Sequence, residues 1–210
     1  MFVEEARWIR RQLESLPLQA GDRVLDIGSS TREFRTVEQP HIEHEIFAPL
    51  NARGIHVVHM DAKQDDGVDV VCNIADPSDV PLGALDERFQ VVICANLLEH
   101  VTDRPAVAAR VAQLVAEHGY LVVTVPRVYR YHADPIDTHW RPTPDEVTKL
   151  FRSAGSSLEL TTSEVLSIND WRYYAPCHHW WLFPLDCPTL LRYALKTLRW
   201  RQSCVVLRHL

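Results

Sequence analysis

Along residues 3–16 apolar side chains recur at helical spacing, with Val3, Trp8, Ile9, Leu13 and Leu16 near one stripe. Pro17 ends that helix. The pattern then changes to short apolar runs. "RVLDIG" (23–28) predicts a first strand, "IHVVHMD" (55–61) a second ending on Asp61, and "VDVVCNIADP" (68–77) a third. "FQVVICANLLEHV" (89–101) predicts a fourth that runs into a loop, and "YLVVTVP" (120–126) a fifth. Helical segments lie between them. One spans 41–54 and is closed by Gly54; another spans 104–119, with a start signal at Thr102/Asp103 and a stop at Gly119. A third spans 143–154, with Pro144 in its first turn and Gly155 after it. "SLELTTSEVLS" (157–167) alternates as a sixth strand, and "RQSCVVLRHL" (201–210) reads as a seventh.

Strands one, three, four and five are near-continuous Val/Ile/Leu runs, so both of their faces must be covered. That is the signature of a central parallel sheet between two helical layers, an α/β fold. The last two strands suit an antiparallel edge pair. With 210 residues, 46% of them hydrophobic, the chain can bury one sizeable core, and a single domain over 1–210 is expected.

Charge removes some function classes. The net charge is −6, with no Lys/Arg run, so no nucleic-acid partner is expected. The five cysteines form no CxxC pair, and Cys72 and Cys94 sit inside apolar runs, which predicts reduced buried thiols. "MFVEEARWIRRQLESL" lacks a long apolar stretch, so no secretory signal is expected. No run of about 18 apolar residues predicts a transmembrane helix. A cytoplasmic location is the expectation.

Ligands of open α/β sheets sit beyond the carboxyl ends of the strands. Here those ends carry Asp26/Gly28, Asp61, Asn73/Asp76, Asn96/Glu99/His100 and the stretch Arg127–His132. A small turn after the first strand lets backbone N–H groups approach a ligand, and an acid ending the second suits a grip on ribose hydroxyls.

In order and spacing these motifs resemble the class I S-adenosylmethionine-dependent methyltransferases. The matches are "VLDIGSSTREF", "VVHMDA", "VDVVCNIADP", "FQVVICANLLEHV" and "HGYLVVTVP", followed by "HADPIDTHWRPTPDEVTKLFRSAG". The resemblance covers roughly residues 20–167 and the last strand. It implies a Rossmann-like three-layer sandwich with a seven-stranded, mostly parallel sheet in the order 3-2-1-4-5-7-6 and an antiparallel last strand. It also implies S-adenosyl-L-methionine as cofactor. Asp26 and Gly28 would shape the loop under its methionine part, Asp61 would hold the ribose, Asn73 or Asp76 the adenine amino group, and Asn96 would present its backbone near the sulfonium. The family's further loop glycines are replaced at Ser30 and Arg32. Serine fits there if its φ is negative; Arg32 would either pair with the methionine carboxylate or fill the pocket.

Candidate chemistry lies in four side chains. His132 and His139 are a candidate base or lid, and the alternative is a loop tied by Asp134 or Asp137. Glu99 and His100 are candidate acid/base groups or pocket wall. "CHHWW" (177–181) matches no common zinc spacing, so no metal is expected. The segment 171–200, with an aromatic helical insertion at about 171–199, would cover the substrate pocket, form a homodimer interface, touch a membrane surface peripherally, or pack as core. The expected activity is in-line methyl transfer to a small-molecule or saccharide-like acceptor. The alternative is a non-catalytic relative with a degenerate loop, acting in binding or assembly.

Overall fold

The computed structural model describes residues 1–76, 78–79, 88–134, 136–154, 157–173, 191, 194–195 and 199–210. Helix α1 (Val3–Ser15) precedes β1 (Arg23–Ile27). A broken helical stretch follows, made of a π-type turn Phe34–Glu38, α2 (Pro40–Ile42), a second π-type turn Glu43–Phe47 and α3 (Ala48–Ala52). Then come β2 (His56–Asp61), β3 (Val70–Val71), β4 (Phe89–Ala95), α4 (Arg104–Gln113), β5 (Val115–Val128), α5 (Pro144–Ser153), β6 (Leu158–Ser167) and β7 (Arg201–His209).

One sheet contains all seven strands in the order β3-β2-β1-β4-β5-β7-β6. β1, β2, β4 and β5 run parallel, and β7 runs antiparallel to β5 and β6 on either side of it. The sandwich expected from the apolar runs is therefore present. Its register explains why those runs are unbroken. Val24 pairs with Val91 and Leu25 with Val92, so neighbouring residues feed opposite faces. Val24, Val91, Ile93, Val122 and Val206 pack with Trp8, Ile9 and Phe47 on the α1 side. Leu25, Val92, Leu121, Val123 and Val205 pack with Val107, Val147 and Phe151 under α4 and α5. Each fully buried Leu, Ile or Phe contributes about 1.5–3 kcal/mol to holding these layers.

Local signals place the helices. α4 starts where the Asp103 side chain accepts from the Ala106 N–H at 3.2 Å. α5 starts with a reciprocal cap: Thr143 Oγ1 accepts from the Glu146 N–H, and Glu146 Oε2 accepts from the Thr143 N–H at 2.7 Å.

Three boundaries differ from the sequence pattern. The fourth helix ends at Gln113, not 119, and β5 begins at Val115. Gly119 is thus a strand residue, not a helix stop: an added Cβ would lie 2.9 Å from the Ala116 carbonyl and 3.0 Å from that of Gln90. The third strand is only Val70–Val71, an edge segment whose Val71 is exposed, so its apolar run is not covered on both faces. Helical structure also starts at Arg32 rather than 41, with Pro40 joining at the first turn of α2. Cys72, Cys94 and Cys204 are buried free thiols, as expected of the first two. Cys177 and Cys187, the "CHHWW" stretch, Gly155 and most of the aromatic insertion lie outside the described residues. No helix among the described residues is long and apolar enough to cross a membrane.

Candidate active site

The turn after β1 is left-handed at two places. Gly28 has φ +74° and donates its N–H to the Met60 carbonyl at 2.8 Å. Ser30 has φ +55°, so the negative angle that would make serine easy there is not adopted. A non-glycine residue there costs roughly 1–2 kcal/mol, so its neighbours must hold it. Two groups do. The Ser30 N–H donates to Asp61 Oδ2 at 2.7 Å. Arg35, only 3% exposed, donates one nitrogen to the Ser29 and Ser30 carbonyls at 3.0 and 2.7 Å, and another to the Gly67 carbonyl at 2.7 Å. Gly67 in turn admits no side chain, since a Cβ would sit 2.6 Å from that of Arg32. The loop is pinned by a buried guanidinium where further glycines were expected.

A cavity of about 620 Å³ opens at the carboxyl ends of the central strands, within the size range of small-molecule sites. Asp26, Gly28, Ser30, Asp61, Asn73 and Asn96 all line it. Asp26 is buried in β1, with Oδ2 3.0 Å from His59 Nδ1. Asp61 spends one acceptor site on Ser30 and another on the Lys63 N–H at 2.9 Å. A carboxylate offers about four such sites, so two remain. Asn73 turns its own loop by accepting from the Ala75 N–H at 3.0 Å.

Two predicted contacts do not line the cavity. Arg32 is exposed to solvent, 64% by side chain, and pairs with Asp66 at 3.1 Å. It neither fills the pocket nor reaches into it. Asp76 folds onto Ser78, accepting from both its N–H and its hydroxyl, and does not line the cavity, whereas Asn73 does.

Asn96 sits at φ +52° just beyond β4. Its Nδ2 donates to Glu5 Oε1 at 2.7 Å, and its N–H donates to the Thr124 carbonyl at 2.9 Å. Glu5 is fully buried and also accepts from Thr124 Oγ1 at 2.6 Å, Gln202 Nε2 at 3.3 Å and the Phe2 N–H at 3.2 Å. It ties α1, β4, β5 and β7 together under the cavity floor. Phe2 and Tyr173 meet edge to face at 4.8 Å, Phe2 and Tyr129 at 5.5 Å, and all three line the cavity as an aromatic wall.

Glu99, His100 and His132 converge. Glu99 is fully buried, and neither of its oxygens has a hydrogen-bond partner among the described residues. Both imidazoles present Nε2 to the same oxygen, Glu99 Oε1, at 3.8 Å. Burial, only partly relieved by its own backbone N–H, pushes Glu99 up to about 8. Burial, reinforced by His100, lowers His132 below the ordinary histidine value. His100 and His132 face the cavity. His139 is not with them: it sits at φ +58°, stacks its ring on Tyr131 and gives its N–H to Asp137. The His–Asp loop tie is present with Asp137 as the carboxylate, and it reaches the backbone of both His139 and His132. Asp137 also takes the His132 N–H and both Arg141 nitrogens, and these bonds outweigh burial and hold it well below the usual carboxylate range.

Sequence reasoning missed Glu5 and Arg35 as organising residues. Glu5 and Arg35 stand in charged, helical-looking contexts where solvated faces are the ordinary expectation. Asp137 was legible as a loop tie to the histidines, and its pair with Arg141 was not.

A family model described as a methyltransferase domain matches residues 2–186. No curated protein sequence matches. Solved structures share the fold at low identity. The cyclase SpnF is 15% identical with a TM-score of 0.60, over 97% of this chain and 81% of that one. Coclaurine N-methyltransferase, bound to N-methylheliamine and SAH, is 13% identical with a TM-score of 0.59, over 97% and 71%. The 1,6-didemethyltoxoflavin-N1-methyltransferase of Burkholderia thailandensis, with S-adenosylhomocysteine bound, is 15% identical with a TM-score of 0.53, over 99% and 77%.

Proposed function

This chain belongs to the methyltransferase domain family, and on that premise we propose that it binds S-adenosylmethionine and methylates a small-molecule or saccharide-like acceptor. One observation carries the reading: the turn after β1, the end of β2, the segment after β3 and the end of β4 all contribute polar groups to a single cavity. The residues fit the cofactor. Gly28 keeps the wall low, since an added Cβ would already meet Leu97 Cδ1 at 3.3 Å. The two unused acceptor sites of Asp61 suit the two ribose hydroxyls. Asn73 is placed for the adenine edge, and Asn96 carries the backbone nearest β4's end.

When bound, S-adenosylmethionine supplies a methyl group already activated on a sulfonium, for in-line displacement. The chain's own work is to hold and orient. Arg35 and Asp61 fix the turn. Glu5 fixes Asn96 from below. The wall of Phe2, Tyr129 and Tyr173 limits water and favours a small acceptor over a macromolecule. The acceptor is placed against His100 and His132, two polar groups of the cavity lining that are not committed to the turn. Similar folds carry other chemistry, as the name of the cyclase SpnF shows, so cofactor binding must be measured. Calorimetric titration with S-adenosylhomocysteine should give micromolar binding that Asp61→Ala abolishes. No binding at millimolar ligand would favour a non-catalytic binding role instead.

A further inference from the structure

Glu99, His100 and His132 have an arrangement that holding a cofactor does not need. Three potential ligand atoms, one from each, lie within 4.8 Å of one another. Both Nε2 atoms are 3.8 Å from Glu99 Oε1. The His100 ring is hydrogen-bonded from behind, and the His132 ring has a carboxylate behind it without a hydrogen bond. His100 Nδ1 meets the Ile136 carbonyl, and His132 Nδ1 lies 3.4 Å from Asp137 Oδ2. Asp137 is itself locked by Arg141. A carbonyl or carboxylate behind Nδ1, with Nε2 facing forward, is how metal-bound histidines are oriented. The carboxylate they face is fully buried and has no hydrogen bond from another described residue, a costly state for its charged form unless a cation completes it.

We propose that these three residues hold a divalent transition-metal cation of the zinc type, with an open position toward the acceptor. Two imidazoles and one carboxylate are a borderline donor set that suits zinc, manganese or ferrous iron better than magnesium or calcium. Zinc–nitrogen bonds of about 2.0–2.1 Å put neighbouring ligand atoms roughly 3.4 Å apart, so the two His–Glu99 edges need close by about half an ångström and the remaining edge, within 4.8 Å, by up to about 1.4 Å. Three protein ligands leave a fourth position, and both histidines already line the cavity. That position takes an acceptor hydroxyl, which makes oxygen the favoured acceptor atom. Metal binding lowers the hydroxyl's pKa, and its proton passes to water. The O–CH3 bond then forms as the S–CH3 bond of S-adenosylmethionine breaks, and the electron pair stays on sulfur. The acceptor step rests on the methyltransferase reading; the metal site does not.

The test uses the whole chain, stripped with chelator and dialysed. Calorimetric titration with Zn²⁺ should show one equivalent at micromolar affinity or better, with a raised melting temperature and much weaker binding of Mg²⁺. Co²⁺ should produce visible absorption bands. Glu99→Gln and His132→Ala should each weaken Zn²⁺ binding at least tenfold and remove those bands, with circular dichroism checking that both variants fold. Zn²⁺ binding no tighter than millimolar overturns the proposal. So does one-equivalent binding that neither variant disturbs. S-adenosylhomocysteine titrated into the stripped protein reports separately on the cofactor reading, so either can fail alone.

Discussion

Glu5 and Glu99 are equally buried, with no solvent exposure, and both lie near the end of β4. Glu5 accepts from Phe2, Asn96, Thr124 and Gln202. Glu99 has no hydrogen-bond partner among the described residues and only two histidine edges in front of it. Burial alone therefore says little about a buried acid. What separates the two is whether donors were built around the carboxylate. The first joins four elements. The second has rings oriented toward it and lies next to a cavity, which is how a functional group is kept at the expense of stability.

Replacing Glu5 should have the largest effect. Glu5→Ala leaves the Asn96, Thr124 and Gln202 donors buried without an acceptor and should cost about 3–5 kcal/mol, read by denaturant unfolding. A loss under about 1 kcal/mol would erase the contrast. Next is the pH dependence of Glu99 in chelator-treated protein. Its folded pKa, about 8, lies above the unfolded value, so its favourable contribution is complete below about pH 4.5 and disappears as pH rises toward 8. The stripped protein should lose roughly 3 kcal/mol across that window, and Glu99→Gln should flatten the slope. A slope unchanged in the variant would assign it to other groups. Asp137→Asn sharpens the comparison from behind: it loosens His132 and should weaken Zn²⁺ binding about 10- to 100-fold in calorimetry, leaving Glu5 and its donors alone. The smallest effect belongs to a carboxylate with solvated partners. Glu45 meets Arg7 and Arg10, which are 60% and 38% exposed, so Glu45→Gln should cost under about 1 kcal/mol in the same unfolding assay.

The sheet was legible because a doubly covered strand cannot hide its composition: "FQVVICA" and "YLVVTVP" have no polar face to offer. Gly119 misled because one residue type serves two needs, ending a helix and letting strands come close. The site was legible wherever a residue stands at a strand end, as Asp61, Asn73 and Asn96 do. Arg35 was not, because its role depends on Gly67, distant in sequence, and on a turn whose serine adopts a glycine-like angle. Arg32 and Arg35 differ by three positions on a helical rise. That spacing puts both near one face, yet Arg32 pairs with Asp66 at the surface while Arg35 bonds the turn's carbonyls, and composition cannot tell them apart. Glu99 and His132 were each visible as candidates. That they share one oxygen follows only from how the loop after β5 folds back over β4.

The bonds Glu5 makes to Asn96, Thr124 and Gln202 close sequence separations of 91, 119 and 197 residues. Such long closures form late, after the local helices and the central strand pairs, because their entropic cost falls on the chain before any gain. A tie made after the rate-limiting step hardly alters how fast the native state is reached, but it strongly affects how long that state survives. Stopped-flow folding of a Glu5 variant should accordingly show a steeper rise in unfolding rate than fall in folding rate. The first helix, joined to the last strand through one carboxylate, then works as a clasp that sets the lifetime of the finished site.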